Sequence, residues 1–462
     1  MTVLSGWDRA GRKFGREDVR LVWTLVGAGL LVWSAVGGQS PYDFGGGPSL
    51  PAMGGILIQL IVLMDGEAES DLPTIITWGL TAPLMVVQGR SVFVVVALVA
   101  ILKALYVGFR RKIKPGHFLS GLALIVLQIG GEISTGKGPA LTVATVTSML
   151  LVFVAISWFY DWSRIDVHAC RVAFIVTSLL CIAGSLAAAR GDIGQFVVAS
   201  DNTTRLGEAA RGLGGSMGIP LYAVASISLI VLSDLRGRLR NRILAYLLVA
   251  VFTAAGVLTI SRVFLLGLGV LIAIISLSIL SRRRKYGLRV LASLAGIGLA
   301  GVLVFQAELL LLGQRLVQRT AEAGLDSGRL AIFDDALSLL SQNPRIVVVG
   351  QGAVGYVYAA QAQNSLVGSM LHNLLFDVIF SWGIVGAIAL LTVLLGSMRR
   401  AAHALQAPID MLTLVPGLVL GACLMTGGSM WYFSSYVFLW VATILCLDAG
   451  HSEDGTRMIG GL

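Results

Sequence analysis

An all-α, polytopic transmembrane bundle of about 12–14 helices is the fold the sequence predicts, and three observations predict it. Only 13% of the 462 residues are charged and 56% are hydrophobic, with a mean hydropathy of +0.85. A soluble domain carries about 25% charged residues, so most of this surface meets a solvent other than water. Long apolar runs recur from Leu21 to Leu447. They are continuous rather than alternating, which points to helices and away from a β-barrel. The positive charges stand in short clusters between the runs, as cytoplasmic loops do.

The candidate spans are roughly 21–38, 50–64, 74–88, 91–108, 117–134, 140–160, 171–189, 217–233, 243–260, 262–280, 290–312, 372–396, 411–428 and 431–448. The second and third are short enough to form one re-entrant hairpin. The first follows basic residues and lacks a small-x-small cleavage site, so it reads as a retained helix. With the N-terminus inside, five clusters become cytoplasmic: Arg9 to Arg20, Arg110 to Lys114, Arg236 to Arg242, Arg282 to Arg289, and Arg399 with Arg400. The net charge of +9 is therefore topology, not a nucleic-acid patch. Cys170, Cys181, Cys423 and Cys446 lie in or beside apolar runs without CxxC spacing and read as packing residues.

Two external segments remain, 190–216 and the long loop 313–371. Within the loop, "RLAIFDDALSLLSQ" from Arg329 puts Leu330, Phe333, Leu337 and Leu340 at helical spacing, so an amphipathic surface helix is expected there. "NPRIVVVGQG" reads as a turn and a short extended run. "DGEAESD", holding Glu67, Glu69 and Asp71, reads as a solvated turn on the inside. Residues 1–462 read as a single integral-membrane domain.

Chemistry has few places to reside. His117, His168, His403 and His451 fall on the cytoplasmic side, which leaves His372 as the outward-facing histidine, at the start of an apolar run. A lone histidine at a helix terminus is more often structural, yet neutral imidazole is a competent base near pH 7. Arg262 stands at an external junction of two runs, where it either meets an anion or snorkels to the interface. In the long loop Arg315, Arg319, Arg329 and Arg345 are balanced by Glu322, Asp326, Asp334 and Asp335. An arginine working there acts as a specific fork donor rather than through net field. Arg205 and Arg211 are further external candidates. Such arginines suit a lipid-linked phosphate or pyrophosphate, which guanidinium binds bidentately. Asp377, four residues after Asn373, either orients this cluster or pairs with a neighbouring arginine. There is no Walker loop, no HExxH and no GxSxG.

"HNLLFDVIFSWGIVG" follows the pattern His-Asn, nine residues, Gly-x-x-Gly, with His372, Asn373, Gly383 and Gly386. Together with "SGRLAIFDDALSLLSQNPRIVVVGQG" upstream and the Ser-Arg junction of "SRVFLLGLG", it resembles the O-antigen ligase and O-antigen polymerase family over residues 259–396. That stretch is the expected core and includes the loop 313–371. The resemblance implies a metal-independent, inverting glycosyltransferase without cofactor, in the bacterial inner membrane with its site facing the periplasm. It implies a donor glycan on undecaprenyl diphosphate, a lipid- or glycan-linked acceptor, membrane lipids as surroundings, and no nucleic acid. It sets His372 at the acceptor hydroxyl and Arg262 and Arg329 at the diphosphate, as catalytic residues. Arg205 is set against an arginine of the earlier loop. Arg211, Arg345, Asn373 and Asp377 are the further substrate-binding candidates. The Arg-x10-Gly spacing of some polymerases is absent, since Ser216 and Leu340 stand where glycine would follow Arg205 and Arg329. Ligase, polymerase and protein O-glycosyltransferase stay open. A transporter or flippase of lipid-linked glycans is the rival class, disfavoured by few midplane charges and no internal repeat. Multi-span peptidoglycan polymerases are a third class, away from which the His-Asn motif points.

Overall fold

The computed structural model describes residues 15–36, 50–65, 68–81, 86–87, 90–91, 93–110, 117–188, 215–235, 241–259, 261–279, 284–304, 310, 313–314, 317, 329–369, 371, 373–405 and 411–427. They form α1 (Arg16–Val36), α2 (Leu50–Met64), α3 (Leu72–Thr81), α4 (Phe93–Arg110), α5 (Phe118–Thr135), α6 (Ala140–Phe159), α7 (Val167–Ala188) and α8 (Gly215–Leu235). Then come α9 (Arg242–Leu258), α10 (Arg262–Ile279), α11 (Arg284–Val304), α12 (Arg329–Gln342), α13 (Pro344–Val349), α14 (Gly355–Ala362), α15 (Leu374–Ala404) and α16 (Met411–Gly427). The fold is the expected polytopic helical bundle. Among the described residues five helices are long and apolar enough to cross a membrane: α5, most of α6, α7, the greater part of α8, and α15. The last expected span, 431–448, lies outside the described residues.

Burial follows from what each helix can offer its neighbours. α8 is apolar on all sides, and such a helix belongs in a core. It is enclosed by α7, α9, α10, α11 and α16. α5 and α9 instead turn Leu119, Ile133, Ile243 and Leu247 outward. No water-facing surface would carry so many large apolar side chains in rows, whereas lipid accepts them.

Charged contacts tie one end of the bundle together. Buried Asp234, at the end of α8, accepts from the Tyr246 hydroxyl at 2.8 Å and from Arg242 Nε at 3.3 Å, and Arg289 lies 3.7 Å away. Asp71 corrects an expectation. Its segment reads as a solvated turn, yet its side chain is 1% exposed. It accepts from Arg20 at 2.6 Å and pairs with Lys103 at 2.7 Å. Two cations from α1 and α4 make it possible to take this carboxylate out of water.

Three local readings also change. The third span was expected over 74–88, but α3 ends at Thr81, with Pro83 two residues on in the sequence. An antiparallel pair, Val86–Val87 with Arg90–Ser91, follows. "NPRIVVVGQG" forms helix α13 in place of an extended run. Pro344 at the first helical position and Gly350 with φ of 70° after the last are helix start and stop signals, and they prevail over the β-branched composition. α12 forms over the expected residues, but Leu330 and Leu337 are 63% and 55% exposed. Its buried side runs through Ala336 and Leu340, with Ile332 and Leu339 beside them.

Candidate functional site

The site is assembled around the first two turns of α15. Asn373 caps that helix: its side-chain oxygen accepts from the backbone N–H of Leu375 at 3.0 Å and Phe376 at 3.2 Å. The polar residue at the head of an apolar helix thus satisfies N–H groups that have no helical partner. One turn on, Asp377 is fully buried and accepts from the Tyr356 hydroxyl at 2.5 Å. Tyr356 sits on α14, and its ring packs 5.6 Å from Phe380.

α12 is tied to the same place twice. Phe333 stacks on Phe376 with ring centroids 5.2 Å apart. Asp335 accepts from the Ser365 hydroxyl at 2.5 Å and from Leu366 N–H at 2.8 Å, fixing the Leu366–Ser369 turn that leads toward α15. The backbone of Arg329 opens α12 one turn before Phe333, so the structure brings the Arg329 end of α12 to the head of α15.

The Gly350-Gln351-Gly352 turn locks onto a break in α15. Gly383 has φ of 65° and ψ of −171°, which interrupts the helix. The freed carbonyls of Phe380 and Ser381 accept from Gln351 N–H and Gly352 N–H, each at 2.8 Å. A Cβ on Gly350 would fall 2.3 Å from the backbone of Ser381 and Trp382, and one on Gly383 would fall 2.2 Å from Val348. Gly350→Ala combines a left-handed φ with this overlap and is expected to destabilise the protein by about 1–3 kcal/mol. A thermal midpoint in detergent unchanged from wild type would contradict the packing described.

From the other side α5 holds the turn. Gln128 Oε1 accepts from Ala353 N–H at 3.0 Å and from the Trp382 indole at 2.8 Å. Glu132 accepts from Val354 N–H at 2.8 Å and from Gln128 at 2.9 Å. Its carboxylate thus lies at the start of α14, where the helix dipole favours an anion. A chain of contacts therefore runs from Glu132 through α14 and Tyr356 to Asp377. Tyr356→Phe removes a donor from a buried carboxylate, at an expected cost of about 1–3 kcal/mol. Denaturation of the variant at the wild-type temperature would discard this bond as a support. Reading the sequence did not single out Gln128, Glu132 or Tyr356. The signal available for Glu132 was a carboxylate inside an otherwise apolar span.

The remaining candidates divide. Cys423, near the end of α16, donates to the Val263 carbonyl at 3.5 Å. α16 runs back toward the Asn373 end of α15, so Arg262, which opens α10, stands on the same face of the bundle as Asn373. Only backbone is described for Arg262 and Arg329. Arg345 is exposed on the first turn of α13. His372, Arg205 and Arg211 lie outside the described residues. His117 and His403 sit at the opposite end of α15, His117 lodged against Gly396. Among the described residues no group of three or more His, Cys, Asp or Glu is placed to hold a metal ion.

Residues 247–391 match the family model for O-Antigen ligase. The match covers under a third of the chain, and it holds Arg262, Arg329, Arg345, His372, Asn373 and Asp377 while leaving α5 outside. No curated protein and no solved structure matches the chain. The apolar helices make this a multi-pass membrane protein, and the similarity of residues 247–391 to O-antigen ligase supports a glycosyltransferase-like ligase or polymerase role.

Proposed function

We propose that the protein transfers a glycan from undecaprenyl diphosphate to an acceptor hydroxyl, at a site on the periplasmic face of a bacterial inner membrane. The observation that carries this reading is the O-antigen ligase match, which spans both Arg262 and the His372-Asn373 pair. The common face of the Arg262 backbone and the head of α15 supports it. The acceptor oxygen attacks the anomeric carbon opposite the diphosphate, and the bond from that carbon to the diphosphate oxygen breaks. His372 takes the hydroxyl proton, and polyprenyl diphosphate leaves with its charge held by Arg262 and Arg329. A diphosphate is a good leaving group, so the reaction asks for no strong acid and no metal. Residues 259–396 form the core of the site, with the loop 313–371 as its external cap.

Purified protein, a polyprenyl-diphosphate glycan and candidate acceptors, with products read by mass, test the reading. A sugar-lengthened acceptor is expected. Movement of intact lipid-linked glycan across vesicles without transfer would assign a flippase instead. The orientation is tested separately. Single cysteines at Gln318 and Arg238, in a background without native cysteines, should label from opposite sides of the membrane. Labelling of both from one side would remove the periplasmic assignment.

A further inference from the structure

At the end of the bundle opposite Asn373, Arg400 has no anionic partner among the described residues. Arg400 lies near the end of α15, beyond the break at Gly383 and at the opposite end from Asn373. Its guanidinium donates to the Trp158 carbonyl at 3.3 Å. Its Nε and its other terminal nitrogen are buried and have no partner among the described residues. Buried guanidinium nitrogens left unpaired are costly, so an anion that reached them would be held.

The surroundings indicate which anion. Trp158 packs 4.9 Å from Phe118 and 5.9 Å edge-on to Phe159, and Phe159 lies 6.5 Å from Phe109. Trp158 and Phe159 are buried within this aromatic cluster, and Phe118 stands at its exposed edge. Phe109 and Leu119 are largely exposed beside it and offer apolar surface to acyl chains. Arg110, which follows Phe109, and Arg399 are exposed at the same end and add positive charge. Arg400 itself is only partly buried, which keeps its side chain close to the surface.

We propose that this end of the bundle, between α5, α6 and α15, binds the phosphate of an anionic glycerophospholipid in the leaflet opposite the candidate site, with Arg400 as principal donor. Basic pockets between membrane helices hold such headgroups through charge-assisted, bidentate hydrogen bonds. The inference does not depend on the transferase reading.

The test is native mass spectrometry of the full-length protein released from detergent, with phosphatidylglycerol, phosphatidylcholine or soluble glycerol phosphate added. Wild type is expected to retain phosphatidylglycerol over phosphatidylcholine. Arg400→Gln should weaken that retention roughly tenfold, as loss of a charged hydrogen bond implies. Arg400→Lys should keep part of it. Equal retention of the two lipids by wild type overturns the proposal, and so does undiminished phosphatidylglycerol binding by Arg400→Gln. Competition by glycerol phosphate as strong as by the lipid itself would sink the lipid assignment and leave a site for free phosphate. If Arg400→Gln does not fold, the wild-type preference and the lysine variant still decide. Because the readout is lipid retention, its failure leaves the transfer reaction untouched.

Discussion

His372→Ala is expected to slow glycan transfer by roughly 10²–10⁴-fold, the contribution of a positioned general base. In the proposed reaction the acceptor is a sugar hydroxyl, which attacks poorly until its proton has somewhere to go. Donor affinity should change little, because the proposed reaction assigns the diphosphate to arginines. The wild-type rate should fall as pH drops through the imidazole range, about 6.5 for an unperturbed ring, since the protonated ring accepts no proton. His372→Gln separates base from positioner, because an amide keeps a hydrogen bond but takes no proton. Near-normal turnover with the same pH profile in the glutamine variant would make His372 a positioner. Asn373 is a poorer probe of the chemistry. It caps α15, so Asn373→Ala would lower stability together with rate.

What could be read from residues alone was set by how local the cause is. The helical membrane bundle follows from hydropathy, which lipid imposes on each span separately. The span of α12 follows from its own periodicity, and its sequence bounds coincide with the helix observed. The side it buries was legible only in part. Leu330 and Leu337 are turned outward because α12 packs through Ala336 and Leu340 against the segments before α15. α13 shows the opposite balance. Asn343-Pro344 and Gly350 hold start and stop signals, yet five residues between them rich in valine favour a strand. Packing against the break at Gly383 settles the matter in favour of helix, and no local pattern announces that break.

At the candidate site the sequence singles out the residues proposed for the chemistry and passes over those that support them. A histidine, an amide and an acid at the head of an apolar run are anomalies that cost forces one to explain. Tyr356 carries no such mark, and the carboxylate of Glu132 in an apolar span does not name its partner, because the two act through contacts spanning 21 and 222 positions of the chain. Asp71 misled for the same reason. Its partner Arg20 is 51 residues away, and a local reading saw only an acidic turn.

Arg262→Ala and Arg329→Ala are each expected to lose most transfer activity, roughly 10²–10³-fold, while the protein still folds. The departing diphosphate gains charge as its bond to the sugar breaks. A preorganised guanidinium stabilises that charge more than it stabilises the bound donor, so the loss should appear in turnover. Lysine should rescue poorly at either position, since it supplies a point charge in place of a planar fork. The two arginines enter from different elements. Arg329 opens α12, which is fastened to the head of α15 by Phe333 and Asp335. Arg262 opens α10, which reaches that face along α16. If both hold one diphosphate, the double variant should lose less than the product of the single losses. Fully multiplicative losses would separate them into independent roles. Wild-type turnover in either alanine variant would remove that arginine from the site, and full activity in a lysine variant would reduce its role to general positive charge.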